Sequence, residues 1–174
     1  EILFYANPGM LQAKACDNAQ IQLNFPAYEL STVDDALKQE ISQILPWEIV
    51  DIFKTQRDVL VCIREDQELA SWHPSIQDIP GHIEGGLLVT AKSSQPEYDF
   101  ISRCFFPVFG IDEDPVTGSA HCALAPYWAK VLQKNSFRAL QASPRGGELG
   151  VVLSLDRVLI SGAAKTFLSG HIVL

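Results

Sequence analysis

Apolar residues at the start of the chain fall into short runs that favour strands. Residues 2–5 and 10–14 flank an Asn-Pro-Gly turn, so they predict a hairpin, and the alternation of apolar and polar side chains over 21–25 predicts a third strand. The first 25 or so residues are therefore expected to form a small sheet.

Two later segments instead carry apolar residues at helical spacing. The first predicted helix has its start signal in Ser31 and Thr32 followed by Asp34 and Asp35, ends at Pro46, and should cover one face of a sheet. Its apolar positions are Val33, Leu37, Ile41 and Ile44. The second begins at residues 118–120, and Pro126 in its middle removes a helical hydrogen bond and should kink it. Its predicted apolar face holds Leu124, Trp128, Val131 and Leu132.

The rest of the chain is rich in β-branched and aromatic residues between Gly, Pro and Asp clusters, which predicts further strands. The candidates are residues 47–54, 58–65, 86–92, 98–106, 137–143, 148–155, 157–162 and 165–174. More strands than helices, joined by links of hairpin length, predict an α+β fold with a largely antiparallel or mixed sheet.

Composition narrows the classes of function. The 174 residues, 47% of them hydrophobic, suffice for one domain or two small ones, and a net charge of -8 argues against nucleic acid or an anionic membrane as partner. No apolar run approaches the roughly 18 residues of a membrane span, and no basic-then-apolar leader opens the chain. We therefore predict a soluble cytoplasmic protein, with no nucleic acid and no membrane partner, that binds a small ligand or another protein.

The cysteines have neither metal-site nor disulfide spacing. They are Cys16, Cys62, Cys104 and Cys122. No pair forms a C-x-x-C motif or a regular pattern with the four histidines, so we predict free thiols and no metal site. The chain opens on an apolar run rather than on Met, which favours a fragment or a processed chain.

The strongest candidate site is the acidic and Gly-containing stretch over residues 112–120. Pro115 biases Asp114 towards an extended backbone, so the loop delivers a carboxylate beside a helix start. The free amides of Gly118, Ser119 and Ala120 would bind a substrate carboxylate there. Crowding of Asp114 by the two preceding carboxylates would favour its protonated form, which suits proton transfer.

A purely structural explanation of the same stretch stays open. Asp, Thr and Ser are the commonest residues that cap a helix start, and acidic side chains favour that end of the helix dipole. His121, one turn into the helix, is predicted to be a packed or capping side chain rather than a catalytic base.

A second Gly-rich stretch lies at residues 143–150, between two predicted strands. Gly146 and Gly147 permit a positive φ or a close backbone approach, and Arg145 could pair with an anion, although a hairpin turn is favoured. The chain has no nucleotide-binding Gly motif and no G-x-S-x-G elbow, so nucleotide binding and a serine hydrolase are not supported.

The motif EDPVTGSAH at residues 113–121, with residues 98–111 before it and SPRGGELGVVL after it, resembles the signature of the phenazine-biosynthesis-like (PhzF-like) isomerase family. The resemblance extends over the whole chain, and residues 21–30 are similar to the strand that closes the family's first domain. It implies the diaminopimelate-epimerase fold, in which two α/β domains each wrap a mixed sheet around a central helix and the active site lies between them.

The resemblance also implies a site. Asp114 matches the family's active-site aspartate, Ser119 its substrate-contacting serine, and the amides of Gly118 to Ala120 the cradle for a substrate carboxylate. Gly146 and Gly147 are expected near the cleft. The family implies a small carboxylate substrate, no cofactor and a homodimer. Its best understood member isomerises a dihydro-hydroxyanthranilate by moving a proton between carbons.

The chain departs from the family pattern at its N-terminal side. The family's catalytic glutamate and the histidine of its Gly-His-Ala-Thr stretch have no counterpart, as if about a hundred residues were missing. Residues 1–27 then represent a remnant of the first domain, with a strand over 166–174 crossing back to it, and residues 28–165 a complete second domain. The missing segment is a separate N-terminal segment of the same protein, was cut away, or is lacking in a shortened relative.

Two other functions remain beside the isomerase. A cofactor-free racemase with two thiols is disfavoured because no cysteine lies between Asp112 and Ala120. A non-catalytic remnant that binds a carboxylate or another protein stays open, and it would be folded and monodisperse on its own.

Overall fold

The fold consists of one mixed sheet and two α-helices within the part of the chain that the structure describes. This structure is a computed structural model, and it describes residues 1–6, 9–17, 19–75, 77, 79–80 and 83–171. The strands are β1 (Ile2–Ala6), β2 (Gly9–Ala15), β3 (Gln20–Pro26), β4 (Ser31–Thr32), β5 (Ile49–Lys54), β6 (Val59–Ile63), β7 (Leu87–Lys92), β8 (Phe100–Phe105), β9 (Ser136–Gln141), β10 (Gly147–Ser154) and β11 (Arg157–Ala163). The helices are α1 (Asp35–Ile44) and α2 (His121–Leu132).

The strands follow the order β1-β2-β3-β11-β10-β9-β8-β7-β6-β5-β4 across the sheet. Two neighbouring pairs, β6 with β7 and β8 with β9, are parallel, and the other pairs are antiparallel. The predicted mixed sheet and the predicted hairpin at the chain start are therefore confirmed. We call β1–β3 the N-terminal sheet, and β4–β11 with both helices the body.

Apolar side chains pack on both faces of the sheet in the body. On one face α2 packs against β8, where Trp128 stacks on Phe100 at 5.5 Å and its Nε1 donates to Thr90 Oγ1 at 3.1 Å. On the other face Ile41 of α1 joins a second apolar cluster that includes Ile101 of β8. Because α2 connects the parallel strands β8 and β9, the loop that enters α2 lies at the end of a central strand.

The helix predictions need two small corrections. Ser31 and Thr32 belong to β4 rather than to the helix start, whereas the predicted Asp34 caps α1: its Oδ1 accepts a hydrogen bond from the Leu37 amide at 2.8 Å. Val131 of α2 is exposed, because the buried face of α2 lies nearer its start. The helix runs through Pro126, which lies in its interior as predicted.

Pro126 has a structural consequence that the sequence does not reveal. Proline lacks the amide that would bond to the carbonyl one turn earlier in a helix. That carbonyl, on Cys122, instead accepts a hydrogen bond from the Tyr28 amide at 2.8 Å. The segment after β3 is thereby attached to α2.

The first strand of the N-terminal sheet and the C-terminal segment are exposed, whereas the middle of β2 and most of β3 are half-buried. All five residues of β1 are exposed, among them Tyr5 at 83%. The strand predicted over 166–174 is wrong for its described part: residues 164–171 form no regular element, and Phe167 is 97% exposed. Residues 172–174 lie outside the described part of the chain. No helix among the described residues is long and apolar enough to cross a membrane.

Candidate active site

The loop between β8 and α2 folds back along the strand it leaves. Gly110 adopts a left-handed conformation with φ 71°, and Phe106 and Ile111 form an antiparallel bridge. The Asp114 amide then donates to the Cys104 carbonyl at 3.0 Å. These contacts place the Asp114 carboxylate at the end of β8, beside the start of α2.

A buried glutamine on β9 fixes this loop from the neighbouring strand. Gln141 Nε2 donates to the Asp114 carbonyl at 2.6 Å and to Thr117 Oγ1 at 3.2 Å, while its Oε1 accepts from the Thr117 amide at 2.7 Å. Thr117 Oγ1 in turn donates to Asp114 Oδ2 at 2.7 Å. One carboxylate oxygen of Asp114 is therefore held, and Oδ1 accepts no hydrogen bond from the described residues.

The predicted anion site at the start of α2 has the backbone it needs. The amides of His121 and Cys122 donate to the carbonyls of Gly118 and Ser119, each at 3.1 Å. The amides of Gly118, Ser119 and Ala120 donate to no carbonyl among the described residues. The three donors precede the first helical hydrogen bond, so they can bind an anion.

The structural explanation of the acidic stretch is wrong in its main part. Ala120 precedes the first residue of α2, and no side chain caps this end of the helix. Thr117 bonds to Asp114 instead, and Ser119 Oγ accepts from Arg57 Nη2 at 3.3 Å.

The expected crowding of Asp114 by two carboxylates is also wrong, because Glu113 is neutralised elsewhere. Its two oxygens accept from the buried Arg103, at 2.7 Å from Nε and 2.6 Å from Nη2. Arg103 Nη1 also donates to the carbonyls of Leu69, at 3.0 Å, and Trp72. Asp112 lies with this pair around a separate cavity of about 200 Å³. Glu113 is therefore paired with Arg103 rather than left as an unpaired charge beside Asp114.

His121 is structural, as predicted. It is fully buried, and its Nδ1 lies 2.8 Å from the Thr117 carbonyl, so Nδ1 carries the proton as a donor. Its Nε2 has no partner among the described residues. Burial lowers the pKa of His121 to about 4, so the ring is neutral at pH 7 and supports the Thr117 turn.

The N-terminal sheet forms one wall beside the start of α2. A Cβ on Gly118 would lie 3.5 Å from Phe25 Cε2, which is an ordinary contact distance. Ser119 opens into a mostly apolar cavity of about 140 Å³. The other residues that line it are Leu11, Phe25, Pro26, Tyr28 and Cys122. Burial raises the pKa of Cys122 to about 12, so this cysteine is a neutral thiol at pH 7 rather than a reactive thiolate.

The Gly-rich stretch at 143–150 forms the predicted turn, between β9 and β10. Gly146 has a positive φ of 69°, and Ser143 Oγ donates to the Pro115 carbonyl at 2.8 Å. A Cβ on Gly147 would lie 2.2 Å from Val116 Cγ2. This turn therefore supports the Asp114 loop from behind, and whether Gly146 and Gly147 also contact a substrate stays a prediction.

Known proteins match this chain over nearly its whole length. The family described as phenazine biosynthesis-like protein matches residues 8–170. The chain belongs to this family. A phenazine biosynthesis-like fold is also what the solved structures show: a PhzF family protein from Enterococcus faecalis superposes with a TM-score of 0.81 at 32% identity, over 99% of this chain and 65% of that one. The sequence resemblance and the diaminopimelate-epimerase-like fold class are thus confirmed.

Two bacterial relatives of this phenazine biosynthesis-like chain are described as uncharacterized isomerases. The one from Halalkalibacterium halodurans is 41% identical over 173 residues, which cover 99% of this chain and 64% of the relative. The one from Pseudomonas aeruginosa is 39% identical over 171 residues, covering 98% and 64%. The chain thus spans 64% of the length of these relatives.

Sequence reasoning missed three residues of the candidate site in this phenazine biosynthesis-like chain. Gln141 is a polar residue at an inward position of a strand, and this is a signal that the sequence offered. Tyr28 and Arg57 offered none, because Arg57 reaches Ser119 across 62 positions and Tyr28 reaches α2 through a carbonyl that Pro126 leaves free. The four cysteines are free, as predicted.

Proposed function

We propose that this chain supplies one part of the active site of an isomerase that moves a proton on a small carboxylate-bearing substrate without a cofactor. Asp114 carries a proton to or from the substrate. Ser119 and the amides of Gly118, Ser119 and Ala120 hold the substrate carboxylate. The general base comes from residues outside this chain, in the part of the relatives that it does not span.

One observation carries this proposal: a single buried side chain, Gln141, holds both ends of the Asp114–Thr117 turn. This fixes a carboxylate whose Oδ1 has no partner among the described residues, in the same loop as the amides of residues 118–120, which bond to no carbonyl there. Prearranged donors and acceptors of this kind are what proton transfer beside a bound carboxylate requires.

The exposed apolar side chains of the N-terminal sheet support the proposal that another segment packs against this sheet. Ile2, Phe4 and Tyr5 are 59%, 49% and 83% exposed, which is unusual for neighbouring large apolar residues. We assign them to contact with a separate N-terminal segment of the same protein, which would make residues 1–27 part of a first domain and 28–165 a second. A homodimer and a cytoplasmic location complete the proposal.

The same exposed side chains favour a second candidate, a non-catalytic remnant that binds a carboxylate or a protein partner. The two candidates differ in turnover. The remnant gives none when an N-terminal segment is supplied, whereas the isomerase does.

The test joins the N-terminal third of the Halalkalibacterium halodurans relative to this chain and measures deuterium uptake from D₂O into a panel of small carboxylates by mass spectrometry. Asp114→Asn should lower uptake by at least roughly 100-fold, because it removes a group that exchanges protons. Asp112→Asn is the matched control, since Asp112 is exposed two positions away, and it should leave uptake unchanged. Unchanged uptake in the Asp114 variant would overturn the assignment.

A further inference from the structure

Arg57 lies in a rigid turn between β5 and β6, close to the candidate site. The Thr55 amide donates to the Asp58 carbonyl at 2.8 Å, and Thr55 Oγ1 accepts from the amides of Arg57 at 3.1 Å and Asp58 at 2.8 Å. The backbone of Arg57 is therefore fixed before its side chain makes any contact.

The Arg57 side chain is fixed as well, by a fully buried carboxylate. Its Nε donates to Asp58 Oδ1 at 2.8 Å and its Nη2 to Oδ2 at 3.0 Å, while the Gly86 amide also donates to Oδ1 at 2.8 Å. Asp58 itself is 0% exposed. Such a two-point pair defines the plane of the guanidinium, which a lysine could not do.

Two glycines make room for this arrangement. A Cβ on Gly85 would lie 2.4 Å from Asp58 Oδ1, and one on Gly86 would lie 2.3 Å from the Phe106 ring. Arg57 Cζ stands 5.6 Å from the centroid of that ring and 5.9 Å from that of Phe109. The surroundings are thus built to hold one orientation of the arginine.

The held guanidinium points at Ser119. Nη2 donates to Ser119 Oγ at 3.3 Å, so one lone pair of the serine oxygen is used and its own hydrogen is left to donate to a ligand. Nη1 donates to no acceptor among the described residues, and the Arg57 side chain is 40% exposed. Arg57 also borders a second cavity, of about 320 Å³, together with Lys54.

We propose that Arg57 is the residue that selects a carboxylate at this site, by binding one carboxylate oxygen through Nη1 while it turns the Ser119 hydroxyl towards the other. The inference rests on the proposed function, because it concerns the same bound carboxylate. The backbone amides alone would also bind a neutral carbonyl group, whereas Arg57 adds a fixed positive charge. The site should therefore bind a carboxylate more tightly than the corresponding carboxamide.

The probe is benzoate against benzamide, since a flat apolar body suits the cavity beside Ser119. Each is titrated into the ¹⁵N-labelled chain while the backbone amides of residues 118–120 and the Arg57 Nε–H signal are followed by NMR. Benzoate should shift both sets of signals, and benzamide should bind at least about ten-fold more weakly.

The variant that tests the residue is Arg57→Gln combined with Asp58→Asn, because Arg57→Gln alone would leave a buried charge unpaired. The two side-chain amides of the double variant should preserve folding. The variant should lose most of the about ten-fold preference for benzoate over benzamide. Arg64→Gln is the matched control: Arg64 pairs with Glu48 at 2.5 Å on the surface and should leave the preference intact.

The outcomes separate the two proposals. If benzoate shifts the amides of residues 118–120 but not Arg57 Nε–H, and the double variant keeps the preference, the role of Arg57 is overturned and the carboxylate site stands. If benzoate shifts neither set, both the carboxylate site and the role of Arg57 are overturned.

Discussion

β1 and β8 are strands of similar length with several large apolar side chains, but their environments are opposite. Every residue of β1 is exposed and every residue of β8 is buried. β8 lies inside the sheet, with α2 on one face and an apolar cluster that includes Ile41 of α1 on the other. β1 is an edge strand that pairs with β2 alone. Apolar residues therefore favour a strand, but the strand becomes part of a core only where other elements pack on its faces.

The comparison separates two contributions to the site. The body positions Asp114 through buried and half-buried contacts of its own, and it contacts Ser119 through the half-exposed Arg57. The N-terminal sheet supplies Leu11 and Phe25 as a wall beside them, and is joined to the body through β11 and the Tyr28 amide. Perturbations of the body should thus damage the fold, and those of the N-terminal sheet should change mainly what contacts it.

The largest expected difference is in core stability. Phe100→Ala in β8 should lower the free energy of unfolding by about 3–5 kcal/mol, because it leaves a cavity against Trp128. Phe4→Ala in β1 should lower it by less than about 1 kcal/mol, because Phe4 is half exposed. Urea unfolding of both variants measures the contrast, and equal losses would show that the N-terminal sheet is as much a core as the body.

The next effect is the pH dependence that His121 introduces into the body. Its pKa is lowered from 6.5 to about 4 in the fold, so between these values the unfolded chain takes up a proton that the folded chain does not. The free energy of unfolding should therefore be highest above pH 6.5 and fall by about 3 kcal/mol as the pH drops to 4.

Urea unfolding between pH 7 and pH 4 measures this loss, with His121→Asn as the variant that removes it. The exposed His171, outside any strand or helix, provides the matched control His171→Asn, which should keep the wild-type slope. A slope that persists without His121 would assign the pH dependence to other groups.

A smaller effect is expected at the turn that supports the site. Gly147→Ala should cost about 1–3 kcal/mol and shift the NMR signals of residues 114–120, because its Cβ would collide with Val116. Gly150→Ala, three positions along the same strand, puts its Cβ 3.8 Å from Ser161 Cβ, an ordinary contact. Equal shifts from the two variants would mean that the turn does not position the Asp114 loop.

The smallest effect concerns the joint between the two regions. Proline in a helix interior is about 3 kcal/mol less favourable than alanine, so its replacement by alanine is expected to raise the free energy of unfolding. Pro126→Ala should change the free energy of unfolding by less than about 1 kcal/mol, since the Cys122 carbonyl already accepts from Tyr28. Faster hydrogen exchange at the Tyr28 amide would report competition for that carbonyl. If the free energy of unfolding rises by the full amount and hydrogen exchange at the Tyr28 amide is unchanged, the hydrogen bond from Tyr28 to the Cys122 carbonyl contributes nothing to stability.

Most strands and both helices followed from the sequence because each depends on neighbours in the chain. Alternation predicted β3, and the spacing of Ile41 and Ile44 predicted α1. The strand expected over 166–174 was wrong where it is described, because its apolar residues find no neighbouring strand to pair with. Propensity alone could not reveal that lack of a partner.

The loop of the candidate site was predictable from the sequence, and the residues that contact this loop from other elements were not. The order of Asp114, Pro115 and Ser119 indicated a carboxylate beside free amides, and the structure brings them together. The partners of the charges could not be read, since Arg103 reaches Glu113 from inside the sheet and Arg57 reaches Ser119 from another loop. Such contacts depend on which strands become neighbours.

The most direct test of the central claim, that this chain holds one part of a catalytic site, is deuterium uptake from D₂O into the small-carboxylate panel. It is measured for the chain alone and for the chain joined to the N-terminal third of the Halalkalibacterium halodurans relative. The account predicts no uptake above the uncatalysed rate for the chain alone and clear uptake for the joined protein. Equal uptake by both, or none by either, would contradict it.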